Sequence, residues 1–185
     1  MRLFIAVEIP QALKEGMAAV QGRLRDAGVE ANWSRSESIH LTLKFLGETS
    51  EERIPQIVQA LALASSGMER FRLCGEGVGT FPNPAAARVV WIGVTGDVGR
   101  LVALRTASEQ AMADLGLERD SRPYTPHLTL GRIRRIRKRA AWLERLEEVK
   151  NVSLAGFDVV AVSLISSELL PQGARYRELG RVALR

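Results

Sequence analysis

The chain has 185 residues, of which 46% are hydrophobic and 25% charged. These proportions are typical of globular proteins and exclude a fibre or a disordered tail, and the length suits one domain with a substantial buried core. The net charge of +5 lies entirely in residues 93–185, which carry 16 basic and 11 acidic side chains, whereas residues 1–92 carry ten of each. A positive field of this kind attracts phosphates, nucleic acid or anionic lipid without specifying which of them.

Apolar patterning in the first half of the chain predicts strands separated by amphipathic helices. The first helix is expected to end near Gly28 and the second to open at Ser50. A turn-rich connection is predicted from Gly75 to Pro84, because glycine and proline favour turns. The strands, which are short apolar or alternating runs, are predicted at 3–7, 39–46, 71–74 and 89–94.

The second half of the chain repeats this alternation. A long helix marked by Val98 and Met112 and a short one near 140–148 are predicted, with a loop over 116–126 before the short helix. This order predicts an α+β fold of two pseudo-symmetric lobes with mainly antiparallel sheets, helices on the outside and a cleft between the lobes. The sequence has no low-complexity linker, so residues 1–185 are predicted to form a single domain. The strands of this half are predicted at 127–131, 152–154, 159–165 and 176–184.

Three features of the sequence predict where the protein is located. The apolar run at 3–7 stops at Glu8 and is too short for a signal peptide, and no apolar stretch is long enough to span a bilayer. The only cysteine, Cys74, cannot form an internal disulfide and is expected to be a small buried hydrophobic residue. We therefore expect a cytoplasmic protein.

The chain has only two histidines, and each opens the tetrapeptide His-Leu-Thr-Leu, at 40–43 and 127–130. Alternate residues of a strand share a face, so His40 and Thr42 point one way while the leucines point to the core. The same holds for His127 and Thr129. If the lobes are related by a pseudo-twofold axis, the histidines face each other as general acid and general base, and the threonine hydroxyls hold a shared anion. This arrangement suits in-line displacement at a phosphodiester without a metal.

Two other interpretations of the tetrapeptides compete with this one. A single His-x-Thr on a strand is usually an ordinary polar surface, but two copies that use every histidine in the chain are harder to explain in that way. The histidines could also contribute to a zinc site, but no His, Cys or carboxylate lies beside either one at the usual ligand spacing. We therefore predict no metal site.

Motifs along nearly the whole chain accompany the tetrapeptides, at 2–7, 33, 40–48, 81–82, 88–91, 126–132, 167–169 and 173–176. With these motifs the sequence resembles the two-histidine phosphoesterase superfamily. Within that superfamily it is similar to the bacterial and archaeal RNA 2′,3′-cyclic phosphodiesterases, also called 2′-5′ RNA ligases.

The resemblance implies a role for each site residue. His40 would be the proton donor to the leaving 3′ oxygen, and His127 the proton acceptor that activates water, which leaves an RNA 2′-phosphate. Thr42 and Thr129 would contact the phosphate, with Arg132 nearby. The family name also implies ligation of RNA ends through a 2′-5′ linkage, which is this chemistry in reverse, and neither direction needs a cofactor.

The orientation of one further residue and the roles of two others are left open by the sequence. Strand alternation places Arg132 on the face opposite His127, unless a strand end or a bulge at Gly131 re-aims it. Tyr124 stands near the second histidine where the family commonly has phenylalanine, and its ring could stack on a base or simply pack. Phe4 has the same two interpretations, with core packing favoured.

A basic run from Arg132 to Arg139 places six charges in eight residues directly after the second motif. It could follow an RNA backbone near the site, or it could be a solvated linker and the start of a helix.

The expected partner is RNA with 2′,3′-cyclic phosphate ends, with tRNA fragments among the candidates. No membrane and no obligatory protein partner is expected. Two alternatives stay open: an RNA-binding module whose histidines have lost catalysis, and a related enzyme acting on a small cyclic nucleotide phosphate.

Overall fold

The computed structural model describes residues 1–170 and 173–185. Its strands are β1 (Arg2–Glu8), β2 (Val29–Trp33), β3 (His40–Glu48), β4 (Phe71–Phe81), β5 (Val89–Gly96), β6 (His127–Ile136), β7 (Ser153–Val159), β8 (Ala161–Leu170) and β9 (Gly173–Ala183). The α-helices are α1 (Gln11–Arg25), α2 (Ile54–Ser65), α3 (Val98–Asp114) and α4 (Arg139–Val149).

The strands form two antiparallel sheets, one in each lobe. The four-stranded sheet has the order β3-β1-β8-β9, and the five-stranded sheet has the order β2-β6-β5-β4-β7. Helices α2 and α3 pack on the four-stranded sheet, while α1 packs on the five-stranded sheet and against α4. The predicted α+β fold with two lobes and mainly antiparallel sheets is therefore confirmed.

Each sheet combines strands from distant parts of the chain. The four-stranded sheet joins β1 and β3, from the start of the chain, to β8 and β9 from its end. The lobes are thus interleaved in the sequence, and neither half of the chain forms a lobe alone.

The core lies between each sheet and its helices and is built from the alternating leucines and isoleucines of the strands. Leu41, Leu43, Leu128 and Leu130 are all buried in it, as the tetrapeptide pattern predicts. Strand β1 is buried on both faces, because a second, smaller apolar cluster forms around Phe4 on its other side. Residues 3–7 of this interior strand are therefore apolar on both faces, which explains their unbroken hydrophobic run.

The predicted connection from Gly75 to Pro84 was wrong over most of its length, because β4 continues to Phe81. The glycines in this stretch allow close packing against a neighbouring side chain and a β-bulge, and they do not form a turn. A Cβ atom at Gly79 would lie 2.1 Å from the ring of Trp91 on the neighbouring strand. Gly77 has a φ of +72° where the pairing between β4 and β5 shifts by one residue, a position that favours glycine.

Other element boundaries also differ from the predictions. Strand β6 extends to Ile136 because it pairs along its whole second half with β2, which the sequence pattern missed. The strand predicted at 159–165 is divided, since β7 ends at Val159 and β8 begins at Ala161. The second helix follows a short 3-10 turn at Glu51–Arg53 and begins at Ile54.

Candidate active site

The two histidines open β3 and β6, and these strands contact each other across the cleft between the lobes. We call the side of each sheet that carries the histidine and threonine its cleft face. On the cleft faces His40, Thr42, His127 and Thr129 are all partly exposed, while the leucines between them are buried. Within the described part of the chain, neither threonine hydroxyl has a hydrogen-bond partner. Both hydroxyls are free to bind an anion.

The backbone around each histidine fixes the orientation of its ring. Nδ1 of His127 lies 2.7 Å from the carbonyl oxygen of Thr125, two residues earlier. His40 has a hydrogen bond to the backbone of Ser38, also two residues earlier. Because a carbonyl oxygen can only accept, Nδ1 of His127 carries the proton and Nε2 is left to react.

Aromatic rings pack around both imidazoles. The ring of Phe4 stacks on His40 with centroids 4.5 Å apart, and Tyr176 meets the same imidazole edge-on at 5.0 Å. On the other side of the cleft, Phe81 meets His127 edge-on at 5.2 Å, and the Trp91 ring lies 6.2 Å away. These contacts restrict ring rotation and orient each imidazole for proton transfer.

Burial lowers the pKa of His40 from its ordinary value of 6.5 to about 4, and the positive charge of Lys14 acts in the same direction. The hydrogen bond to the backbone of Ser38 opposes both effects. His40 is therefore neutral at pH 7 in the empty site. An anion bound beside the ring would favour the protonated form and raise this pKa.

We expect the imidazole signals of a protein with two histidines to be fully resolved by NMR, with His40 titrating near pH 4. Replacing Lys14 with glutamine should raise the midpoint, because it removes a positive charge that disfavours the imidazolium. The variant Glu15→Gln, at an exposed neighbouring position on the same helix, is the control and should leave the midpoint in place. A midpoint of 6.5 in the wild type would contradict this prediction.

Both histidine strands carry a bulge at the same place. In β3 the extra residue is Leu43, and in β6 it is Leu130, each lying between two residues that pair with successive residues of the neighbouring strand. A bulge reverses the alternation of side chains beyond it. Phe45 therefore returns to the cleft face of His40, and Arg132 to the cleft face of His127.

The bulge in β6 decides which way Arg132 points. It lies at Leu130, one residue before Gly131, and it brings Arg132 to the side of His127 and Thr129. Arg132 also acts on the hydroxyl of Tyr176, whose pKa is raised by burial and lowered by the charges of Arg132 and Arg2. Tyr176 packs against His40, so the charge of Arg132 from one cleft face acts on a ring that belongs to the other.

Phe45 and Tyr176 were missed as site residues by the sequence interpretation. Phe45 is 61% exposed, and its ring centroid lies 6.0 Å from that of Phe4, on the same face as His40. A signal for Phe45 existed in the repeat, because it stands five residues after His40 as Arg132 stands five after His127. Tyr176 comes from β9, at the far end of the sequence, and only the sheet brings it to His40.

Phe4 and Tyr124 make their contacts with the protein itself. Phe4 is only 3% exposed, beneath the His40 ring. The hydroxyl of Tyr124 donates to the carbonyl oxygen of Thr42 at 3.1 Å, and the guanidinium of Arg105 lies 4.8 Å from the ring centroid. Burial raises the pKa of Tyr124, against the charge of Arg105, so the hydroxyl stays a donor. This hydrogen bond ties the loop before His127 to the strand of His40.

A buried ion pair connects β3, the strand of His40, to α3 on the core side of the sheet. Nζ of Lys44 lies 2.8 Å from Oε2 of Glu109 on α3, and it also donates to the carbonyl oxygen of Glu118 at 2.7 Å. The two side chains are 1% and 7% exposed. Arg105 approaches the other oxygen of Glu109 at 3.6 Å, which links the ion pair to Tyr124. Loss of one partner would leave a buried charge, so this network holds β3, α3 and the loop together.

The basic run lies mostly on β6 and not in a linker. Residues 132–136 belong to the strand, and α4 begins at Arg139. Arg132 pairs with Asn32, and Arg135 pairs with Glu30. Asn32 and Glu30 are two residues apart on β2 and share a face, so the arginines that pair with them also share a face. Arg137 forms an ion pair with Glu30. The cleft face therefore presents a basic stripe, Arg132 and Arg135, that leads away from His127.

The part of the chain that the structure describes offers neither a metal cluster nor a membrane span. Among residues 1–170 and 173–185, no group of three or more His, Cys, Asp or Glu side chains is placed to hold a metal ion. No helix in the same ranges is long and apolar enough to cross a bilayer. Cys74 is half-buried on β4 and has no disulfide partner, since it is the only cysteine of the chain.

The fold and the site define a two-lobed α+β protein in which each lobe contributes one histidine and one threonine to a common cleft. The chain belongs to the LigT-like phosphoesterase family, whose model matches residues 7–91 and again residues 92–176. Each match contains one of the two His-Leu-Thr-Leu motifs. The repeat in the sequence thus corresponds to the two cleft faces, although strands are exchanged between the lobes.

Known proteins resemble this chain along its full length. It is 33% identical over 178 residues to the RNA 2′,3′-cyclic phosphodiesterase of Methanothermobacter thermautotrophicus, with 96% of each chain covered. It is 37% identical over 164 residues to the protein of the same name from Aeropyrum pernix, covering 86% of this chain and 92% of the relative. The crystal structure of TT0787 of Thermus thermophilus superposes with a TM-score of 0.83 at 28% identity, covering 100% of this chain and 98% of that one.

Proposed function

We propose that this chain hydrolyses the 2′,3′-cyclic phosphodiester ends of RNA to 2′-phosphomonoesters without a metal or cofactor. The observation that carries the proposal is the pair of cleft faces, each with an imidazole anchored through the backbone two residues earlier and a threonine hydroxyl beside it. The names of the relatives with 33% and 37% identity support RNA cyclic phosphates as the substrate class.

The reaction follows from the two imidazoles. Nε2 of His127 takes a proton from water as the water oxygen attacks phosphorus. The bond between phosphorus and O3′ breaks, and protonated His40 gives its proton to O3′, which leaves the phosphate on O2′. Thr42, Thr129 and the guanidinium of Arg132 contact the non-bridging oxygens, where negative charge accumulates. With a 5′-hydroxyl in place of water as the nucleophile, the same displacement would leave a 2′-5′ linkage, which is ligation.

The protonation of His40 depends on the substrate. In the empty site burial keeps this imidazole neutral, with a pKa of about 4. The phosphodiester anion would raise that pKa, so that the acid is charged mainly in the complex. Binding and proton donation are then coupled, and an uncharged ligand would not activate His40.

The exposed ring of Phe45 lies on the cleft face between His40 and the far end of β1. Because O3′ must lie at His40, the terminal ribose is held on the side of the four-stranded sheet. Its base can then stack on Phe45, a sequence-tolerant contact that any nucleobase can make. RNA in general, including tRNA fragments, fits such a site.

We also infer that the whole chain, 1–185, works as one domain, because strands from both ends of the chain share one sheet and a continuous apolar core. The cytoplasmic location and the lack of an obligatory protein partner stay predictions from the sequence.

The proposal is tested with an oligonucleotide that ends in a 2′,3′-cyclic phosphate, incubated with the protein in excess chelator. We expect full activity and a product whose phosphate is on O2′, identified by ³¹P NMR. Binding without turnover would favour the RNA-binding module. Loss of activity in chelator, restored by a divalent metal, would contradict the metal-independent mechanism.

The basic stripe predicts a salt-dependent contribution to RNA binding. Replacing Arg135 of the stripe and its exposed neighbour Arg134 with alanine should weaken binding of RNA ending in a 2′-phosphate more at low salt than at high salt. The slope of log Kd against log salt should fall by about 0.7 for each phosphate that the variant no longer contacts. Arg145→Ala, on α4 and engaged with Glu148, is the control for loss of one charge outside the stripe and is compared with Arg135→Ala alone. Equal weakening at all salt concentrations would contradict an electrostatic role.

A further inference from the structure

A cavity of about 780 Å³ opens beside the His40 site, at the ends of β1, β3, β8 and β9. Its lining includes Arg2, Ser167, Tyr176 and Arg177. Tyr176 also lines the small pocket that contains His40. The large cavity therefore adjoins the catalytic pocket, and its volume is in the range of nucleotide and cofactor sites.

The acidic side chains in this cavity are paired, whereas some of the basic side chains are not. Its two glutamates are engaged, since Glu48 lies 3.3 Å from the amino group of Met1 and Glu168 lies 2.5 Å from the guanidinium of Arg175. Arg2 and Arg177 are exposed, and neither forms an ion pair with any residue in the described ranges. Arg177 pairs with Ser166, which lies opposite the core residue Leu3, so Arg177 belongs to the other face of the sheet, whereas Arg2 shares the cleft face with Tyr176. On the cleft face the cavity thus offers the uncompensated guanidinium of Arg2 to an anion, and arginine suits phosphate oxygens.

The cavity lies in line with the proposed path of the substrate. On the cleft face, successive paired positions of β1 and β3 run from His40 past Thr42 to Phe45 opposite Phe4, and then to Arg2 opposite Glu48. Arg2 is two residues beyond Phe4 on β1, about 7 Å along the strand. One nucleotide bridges such a distance, so a chain whose last base lies on Phe45 brings its next phosphate to Arg2.

We propose that this cavity binds the nucleotide immediately 5′ to the one that carries the cyclic phosphate, with Arg2 contacting the phosphodiester that joins the two. The inference rests on the proposed function, because it needs O3′ of the terminal ribose at His40. It specifies the substrate class: the enzyme selects the end of an RNA chain over a free nucleoside cyclic phosphate.

The test compares kcat/KM for three substrates with the same terminal base: cytidine 2′,3′-cyclic phosphate, its 5′-phosphorylated form, and a dinucleotide ending in it. The wild type should prefer the dinucleotide over the nucleoside by about tenfold or more, the factor expected for one charge-assisted contact. The 5′-phosphorylated form should recover most of that preference. In the variant Arg2→Gln the ratio should fall toward one, whereas Arg177→Gln, on the other face of the sheet, should keep it. Arg70→Gln, an exposed arginine beside the chain end at the other end of the same sheet, should keep the ratio.

Three results would overturn the inference: equal kcat/KM for all three substrates in the wild type, no gain from the 5′ phosphate, or an unchanged ratio in Arg2→Gln. Arg2 is exposed, and the melting temperature of the variant establishes that it is folded. The proposed function is tested separately by the nucleoside alone. If its hydrolysis survives His127→Ala, the two-histidine mechanism fails whatever the ratio is.

Discussion

Replacing either His40 or His127 with alanine should lower kcat for a cyclic-phosphate RNA end by roughly a thousandfold, within the range that positioned acids and bases contribute. Each imidazole serves one side of the same displacement, so the double variant should lose little more than either single variant. The measurement is single-turnover hydrolysis in chelator, with circular dichroism to verify the fold. Unchanged rates in both single variants would reject the mechanism.

A second experiment tests which histidine is the acid and which is the base, separately from whether each is needed. A substrate with sulfur in place of O3′ releases a thiolate, which needs no proton from an acid. This substrate should restore much of the rate of His40→Ala and little of the rate of His127→Ala. Rescue of the opposite variant would exchange the two roles.

The pH profile gives an independent measure of the same pair. Activity should fall on the acid side as the base becomes protonated and on the alkaline side as the acid loses its proton. The two apparent pKa values belong to the coupled site and not to single residues. Loss of the alkaline limb in the sulfur substrate would link that limb to proton donation.

The second large effect is expected at Arg132, where alanine should lower kcat by roughly a hundredfold, as for removal of one donor to a developing anion. The guanidinium can contact two phosphate oxygens at once, whereas lysine offers a point charge. Arg132→Lys should therefore recover only part of the rate. Both variants are compared by kcat and KM on the same RNA end.

Arg139→Ala is the matched control for Arg132, because it removes an exposed charge at the first residue of α4, outside the strand. It should leave kcat within a factor of two or so of the wild type, since solvent and salt screen the charge of an exposed side chain outside the cleft face. If Arg139→Ala and Arg132→Ala were equally impaired, net charge and not position would explain the loss.

The position of Arg132 shows why one part of the site could not be predicted from the sequence. Simple alternation places this side chain on the face of the sheet opposite to His127, and the bulge at Leu130 reverses that alternation. A bulge forms where two strands with unequal numbers of residues pair, so it depends on β5 and not on the local sequence of β6. The same is true of Leu43 and of Phe45 beyond it.

The glycines of β4 illustrate a second limit. Gly75, Gly77 and Gly79 look like turn residues in the sequence, yet they lie within a strand. Gly79 accommodates the ring of Trp91, which comes from the neighbouring strand and cannot be inferred from local composition. Strand β2 was missed for a related reason, because its five residues are ordered by pairing with β6 and not by strong alternation.

The two histidines, their threonines, the leucines that anchor them in the core and the α+β class were all determined by local pattern, because side-chain alternation in a strand is a local property. The tertiary structure decided which groups meet the imidazoles. Tyr176 reaches His40 from the last strand, and Arg132 and Phe45 reach the cleft through bulges. These contacts join residues that are far apart in the chain, and only the pairing of the strands determines which of them become neighbours.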